Sequence, residues 1–191
     1  MTDPLIKLFG SHSRLKLLRL FLFNPSQTFS GAEAAARSRV EPQGARRELA
    51  GLRQAGLLRK SRGKTMRYAL NEKFPYLEPL KELLLNTARR GESVPVRLRP
   101  AGTIKLVILT GVFVGDVEGS FDLLIAGDRI KEGILRERIK GLEAELGREL
   151  RYALLSTADF LYRLNMNDKL VRDVMDYPHR IVHDRLDIGL K

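Results

Sequence analysis

Glu41-Pro42-Gln43-Gly44-Ala45-Arg46-Arg47-Glu48-Leu49-Ala50-Gly51-Leu52-Arg53-Gln54-Ala55-Gly56-Leu57-Leu58 is the stretch on which the fold turns. Pro42 suits the first position of a helix, where its missing N–H costs nothing. Ala45, Leu49 and Leu52 then recur at i, i+4 and i+7, which puts them on one apolar face. Gly56 is a natural stop, because glycine enters the left-handed conformation that ends helices. Beyond it, Leu57 to Lys60 and Thr65 to Leu70 read as two short strands. The turn Ser61-Arg62-Gly63-Lys64 joins them.

Upstream, Leu15, Leu18 and Leu22 repeat at helical spacing, widened by Leu17 and Phe21. Asn24-Pro25-Ser26 ends that helix. Ser30-Gly31-Ala32-Glu33 is a capping box, in which serine accepts from a first-turn amide and glutamate reaches back. A short Ala-rich helix follows to Ala36. Downstream, Pro75 opens a helix with Leu77, Leu80 and Leu84 on one face and Leu83 beside them.

The order is helix, short helix, helix, hairpin. It resembles the winged helix-turn-helix superfamily of transcriptional regulators over about residues 10–72. The residues that carry the resemblance are Ala45-Arg46-Arg47-Glu48-Leu49, Leu52 to Leu58, and Arg67-Tyr68-Ala69-Leu70. It implies a recognition helix that enters the major groove and a trailing helix that packs against a second copy. A homodimer would match a palindromic site.

With Ala45, Leu49 and Leu52 inward, Gln43, Gly44, Arg46 and Arg47 face outward. Arginine can bond guanine bidentately and glutamine can do the same to adenine. On the hairpin, Arg59, Lys60, Arg62, Lys64 and Arg67 suit phosphates or the minor groove. The charge agrees. The chain has 191 residues and a net charge of +11, with pI near 10.2. The whole +11 lies in residues 1–90, and the remainder is neutral. A solvated basic surface is the plainer explanation of such an excess. Its concentration on one helix and one hairpin favours double-stranded DNA as the partner.

Ala88 to Gly102 reads as a linker, with Arg89-Arg90-Gly91, Pro95, Pro100 and Gly102. Within it, Val94 to Leu98 alternates like an edge strand. Ile104 to Leu109, Phe121 to Ile125 and Glu149 to Leu155 read as strands. Leu135, Ile139, Leu142 and Leu146 mark a helix stopped by Gly147. Ser156-Thr157-Ala158-Asp159 opens another, and Asn167 caps a last one that ends before Pro178. Alternating strands and helices predict an α/β domain.

This half resembles the minimal nucleotidyltransferase domain of the polymerase-beta-like superfamily, over about residues 102–188. That family pairs Gly-Ser after a strand with Asp-x-Asp on the next strand and a third carboxylate later. The resemblance puts Gly111 at the glycine and Asp122 at the second aspartate, as a nucleotide-binding remnant. The chain departs from the pattern elsewhere. Val112 replaces the serine, Ser120 replaces the first aspartate, and Arg151-Tyr152-Ala153-Leu154-Leu155 offers no acid, with Glu149 only at its edge. Two divalent ions need paired carboxylates. A catalytically inactive relative is therefore expected, with Asp122 serving the structure.

Other patterns exclude more than they assign. The absence of cysteine rules out disulfides and thiolate metal sites and favours an intracellular protein. The longest apolar run, Leu106 to Val114, is broken by Thr110 and Gly111 and is far short of a membrane span. Asp3-Pro4 does not fit a signal peptide. His179 and His183, with Asp184 and Asp187, do not suggest converging metal ligands. Gly111, Gly115 and Gly119 lack the Gly-Lys-Ser/Thr of a phosphate loop.

The expectation is an α+β chain. A winged-helix domain covers 1–87, a linker covers 88–102, and a nucleotidyltransferase-like domain covers 103–191. Its expected role is a cytoplasmic, dimeric, DNA-binding transcriptional regulator. It has no catalytic residue, metal or obligatory cofactor, and its second domain senses a small molecule or nucleotide or serves assembly. The alternative is an active Mg²⁺-dependent nucleotidyltransferase, with Asp122 joined by Asp116 or Glu149, or an antitoxin-like partner protein. In either case the winged helix would be a docking module.

Overall fold

The computed structural model describes residues 4–61, 66–88, 91–116 and 121–188. The chain is mixed α+β and divides into two compact units. Residues 1–87 with 141–149 form unit 1, and residues 88–140 with 150–191 form unit 2.

Unit 1 begins with a short helix, α1 (Pro4–Phe9), which the spacing of apolar residues does not mark. Ser11 then caps α2 (His12–Leu22) by accepting from the Arg14 amide at 3.1 Å. Leu15, Leu17, Leu18, Leu20, Phe21 and Leu22 are all buried, so α2 is packed around most of its circumference. A three-residue strand follows, β1 (Thr28–Ser30). Ser30 closes both halves of the capping box on α3 (Gly31–Ser38): its hydroxyl accepts from the Glu33 amide, and Glu33 accepts from the Ser30 amide.

Next come α4 (Pro42–Gln54), β2 (Leu58–Ser61) and β3 (Arg67–Leu70). Gly56, at φ +84°, lets the chain leave α4. The three strands form an antiparallel sheet in the order β1-β3-β2. Phe21 meets Phe29 edge to face, with ring centroids 5.4 Å apart.

The last helix of this stretch, α5 (Leu77–Ala88), starts two residues after Pro75. Leu77 and Leu84 are buried in the unit 1 core and Leu80 packs against it. The apolar face on which the sequence reading seated a second copy is thus used within the unit itself. Residues 141–149 complete unit 1. Asn24 Nδ2 donates to the carbonyl of Gly147 at 2.6 Å, and Arg37 pairs with Glu149. Gly147 is required here: at φ +78°, an added Cβ would lie 2.3 Å from the Arg19 backbone.

In unit 2, the segment expected to be an edge strand is a helix, α6 (Val94–Leu98), followed by a 3-10 turn, Arg99–Ala101. Val94 and Leu98 are buried and Val96 is 71% exposed, whereas a strand would have put all three on one face. Pro95 sits in the first turn, where no N–H is needed. With Ala101 also buried, residues 94–101 of the stretch that composition marks as a linker are packed structure.

Then follow β4 (Thr103–Leu109), a 3-10 turn at Gly111–Phe113, β5 (Leu123–Asp128) and α7 (Glu132–Leu146). Residues of α7 up to Lys140 group with unit 2. The chain continues through β6 (Tyr152–Leu155), α8 (Thr157–Asn165), α9 (Lys169–Asp176) and β7 (Arg180–Asp184). The sheet order is β6-β5-β4-β7. β4 runs antiparallel to β5 and β7, and β5 is parallel to β6.

Strands β5 and β6 begin later than the residue pattern predicts, at Leu123 and Tyr152, and β7 is a further strand beyond those the pattern marks. The cap of α9 is Asp168, which accepts from the Leu170 amide at 3.0 Å; Asn167 precedes it in the left-handed region at φ +51°. Leu106, Ile108, Leu124 and Ala126 from the sheet meet Phe160, Val171 and Val174 from α8 and α9. Among the described residues, no helix is long and apolar enough to cross a membrane.

Candidate functional site

The outward face of α4 is set by what the helix buries. Ala45, Leu49 and Leu52 face the core, as their spacing requires. Glu48 lies in the same phase and is only 8% exposed. Its carboxylate accepts from Arg14 Nε at 2.8 Å, so one ion pair fixes the rotation of α4 against α2. The signal in the sequence was an acid at i+3 from Ala45, one position before Leu49. Apolar spacing alone gave it no partner.

The opposite face is open. Gln43, Arg46, Arg47, Ala50, Gly51, Arg53 and Gln54 are exposed, and Gly44 is half-buried. Glu41 caps the helix, accepting from the Gln43 amide at 2.9 Å and the Gly44 amide at 2.8 Å. Those two amides, with help from the nearby Arg47 charge, hold the Glu41 carboxyl below the usual carboxylate range. The four α4 residues expected to read bases thus share one helix end: two guanidinium groups, one carboxamide and a glycine.

On the hairpin the predicted set divides. Arg59 and Lys60 lie exposed on β2, with Arg59 Nε donating to the Leu70 carbonyl at 3.3 Å. Arg62 and Lys64 lie outside the described residues. Arg67 departs from the expectation of a phosphate contact. Its Nε donates to Thr28 Oγ1 at 3.0 Å, its Nη2 donates to the Thr28 carbonyl at 2.7 Å, and its guanidinium pairs with Glu33. The register explains this, because Arg67 lies opposite Ser30 across the β1–β3 pair. The Ser30 amide first, and Arg67 second, hold the Glu33 carboxyl below its usual range. Arg67 thus clamps β1 and the start of α3 to β3. Arg67→Ala should lower the stability of unit 1 by about 1 kcal/mol, since the clamp is part-exposed. Urea unfolding measures that loss, and affinity for duplex DNA should stay near that of the parent chain.

In unit 2, Gly111 and Asp122 are in direct contact. Asp122 is fully buried. Its Oδ1 accepts from the Val112 amide at 3.0 Å, and its Oδ2 accepts from the Arg151 amide at 2.9 Å and from Arg151 Nε at 3.4 Å. Gly111 sits at φ +50°, where an added Cβ would lie 2.4 Å from Asp122 Oδ1. The glycine is therefore demanded by the carboxylate beside it. Thr110 closes the same corner, its hydroxyl donating to the Phe121 carbonyl at 2.6 Å.

Among the described residues, the remaining acids and histidines form no group of three that could hold a metal ion. Glu149 is paired with Arg37 in unit 1. Asp128 accepts from Thr157 Oγ1 at 2.9 Å and pairs with Lys105 at 3.1 Å, contacts that hold its carboxyl low. His179 Nδ1 is 2.9 Å from the Tyr177 carbonyl and His183 Nε2 is 3.3 Å from that of Ile104. His179 precedes β7 and His183 lies within it, and each ring nitrogen faces a different backbone carbonyl.

Comparison of the chain with protein-family models, curated proteins and solved structures finds no match.

Proposed function

We propose that the chain is a DNA-binding transcriptional regulator, with unit 1 acting as a winged helix on double-stranded DNA. The observation that carries the reading is the exposed α4 face, with Gln43, Arg46 and Arg47 near one end and Arg59 and Lys60 on the adjoining strand. The succession α2, β1, α3, α4, β2, β3 with its β1-β3-β2 sheet supports it, because that is the element order of a winged helix. The excess of positive charge in residues 1–90 supports it further. A homodimer on a two-fold site and a cytoplasmic location belong to the same reading.

Unit 2, in this reading, is a nucleotidyltransferase-like domain used for sensing or assembly rather than transfer. The support is the occupation of Asp122. Asp122 is buried with each oxygen accepting a backbone amide, and Glu149, the other acid near the strand ends, pairs with Arg37 on unit 1. Transfer through two divalent ions needs carboxylates with oxygens to give them.

Selection of bound sequences from a random duplex pool, with and without nucleotides, tests both parts. Enrichment of a defined site with two related halves is expected, and a shift in affinity on adding a nucleotide would support sensing. A pool that stays unenriched overturns the DNA reading.

A further inference from the structure

The exposed side of α4 is two parallel rows. Arg46, Ala50 and Gln54 follow one another at four-residue spacing, as do Arg47 and Gly51, with Ala55 next in that row at the helix cap, and Gln43 stands ahead of both. From Gln43 to Gln54 the face is about 16 Å long, close to five base pairs.

Gly51 is the anomaly on this face. Glycine weakens a helix interior relative to alanine. Several of the described glycines have a reason to be glycine. Gly111, Gly127 and Gly147 lie where a Cβ would strike backbone or a buried carboxylate. Gly10 and Gly56 have positive φ. Gly51, like Gly133 on α7, has neither reason: it is in mid-helix, it is exposed, and a Cβ there would meet nothing within 4 Å. What sets it apart is the cationic face on which it lies. The fold gains nothing from the missing side chain. Its neighbours are charged and amide side chains suited to base edges and phosphates.

We infer that Gly51 is a specificity-determining position, the point where the α4 backbone comes closest to the duplex. Ala50 beside it lies where a thymine methyl would pack, and Arg47 and Gln54 flank the approach. This inference rests on the reading of unit 1 as a duplex-binding module. It adds that the middle of α4 touches DNA, so the helix lies along the groove instead of entering only by its first turn. Specificity then comes partly from exclusion, since a site that fills the groove at this step leaves no room for a larger residue.

The test compares Gly51→Ala and Gly51→Gln with Gly133→Ala. Gly133 is also helical, exposed and without a neighbour within 4 Å, but it lies on α7. Circular dichroism melting and fluorescence anisotropy on the selected duplex are read on each variant. Gly51→Ala should raise Tm by about 2 °C. It should also weaken binding to the selected duplex about tenfold, with Gly51→Gln weaker still. Gly133→Ala should leave affinity unchanged. Undiminished affinity of Gly51→Ala, with the parent chain binding, overturns the inference alone. A parent chain that binds no duplex overturns the reading beneath it as well.

Discussion

Replacing Arg46 and Arg47 together with alanine should lower affinity for the selected duplex by roughly 30-fold to 10⁴-fold. One well-formed bidentate contact to a base is worth about 1–3 kcal/mol of discrimination, and two give that range. Neither side chain is buried, so the fold has little to lose and stability should move by less than about 0.5 kcal/mol. The pattern of the loss matters as much as its size. If both arginines read bases, the difference between selected and unrelated duplexes should collapse while unrelated duplexes keep most of their affinity. Arg59→Ala with Lys60→Ala should act the other way. All duplexes should weaken together, and the dependence of log K on log salt should flatten by up to about 2. Fluorescence anisotropy titrations at several salt concentrations give all of these quantities. Equal affinity of the parent chain and the double arginine variant for the selected site would remove α4 as the reading element.

Local signals were legible because both partners lie within a few residues. Ser30 and Glu33 form their capping box from a four-residue pattern. Pro42 and Gly56 bracket α4 through backbone constraints that need no tertiary partner. The orientation of the α4 face also follows from spacing, since burying Ala45, Leu49 and Leu52 leaves Arg46 and Arg47 outside. What the residue pattern could not give depends on partners far along the chain. Glu48 is held by Arg14, and a helical wheel cannot tell a buried acid from a misplaced one. Arg67 looked like another hairpin cation because its clamp, Thr28, sits on a strand of three residues, too short to show an alternating period. Val94-Pro95-Val96-Arg97-Leu98 satisfies an alternating pattern and an i, i+4 pattern equally well. Pro95 favours the helix, being at home in a first helical turn and poor in a sheet ladder.

Asp122→Ala should destabilise unit 2 by about 3–5 kcal/mol. The carboxylate accepts two backbone amides, those of Val112 and Arg151, in a corner with no exposure of its own. Hydrogen bonds to a charged group are worth about 1.5–3 kcal/mol each. The pairing with Arg151 Nε adds less, because that side chain is 43% exposed and solvent screens it. Asp122→Asn sharpens the result. The amide keeps one acceptor oxygen but turns an NH₂ towards one of the two N–H donors, so roughly half of the loss should remain. A carboxylate kept for a metal ion or a nucleotide would behave differently, because its substitution would leave the fold intact and remove only binding. Hydrogen exchange resolves the two cases at the atoms concerned: the Val112 and Arg151 amides should lose protection in Asp122→Ala. Gly111→Ala should reproduce part of this, since its Cβ would displace the same carboxylate. A variant Asp122→Ala that unfolds at the parent midpoint, with both amides still protected, would assign Asp122 to chemistry and not to the fold.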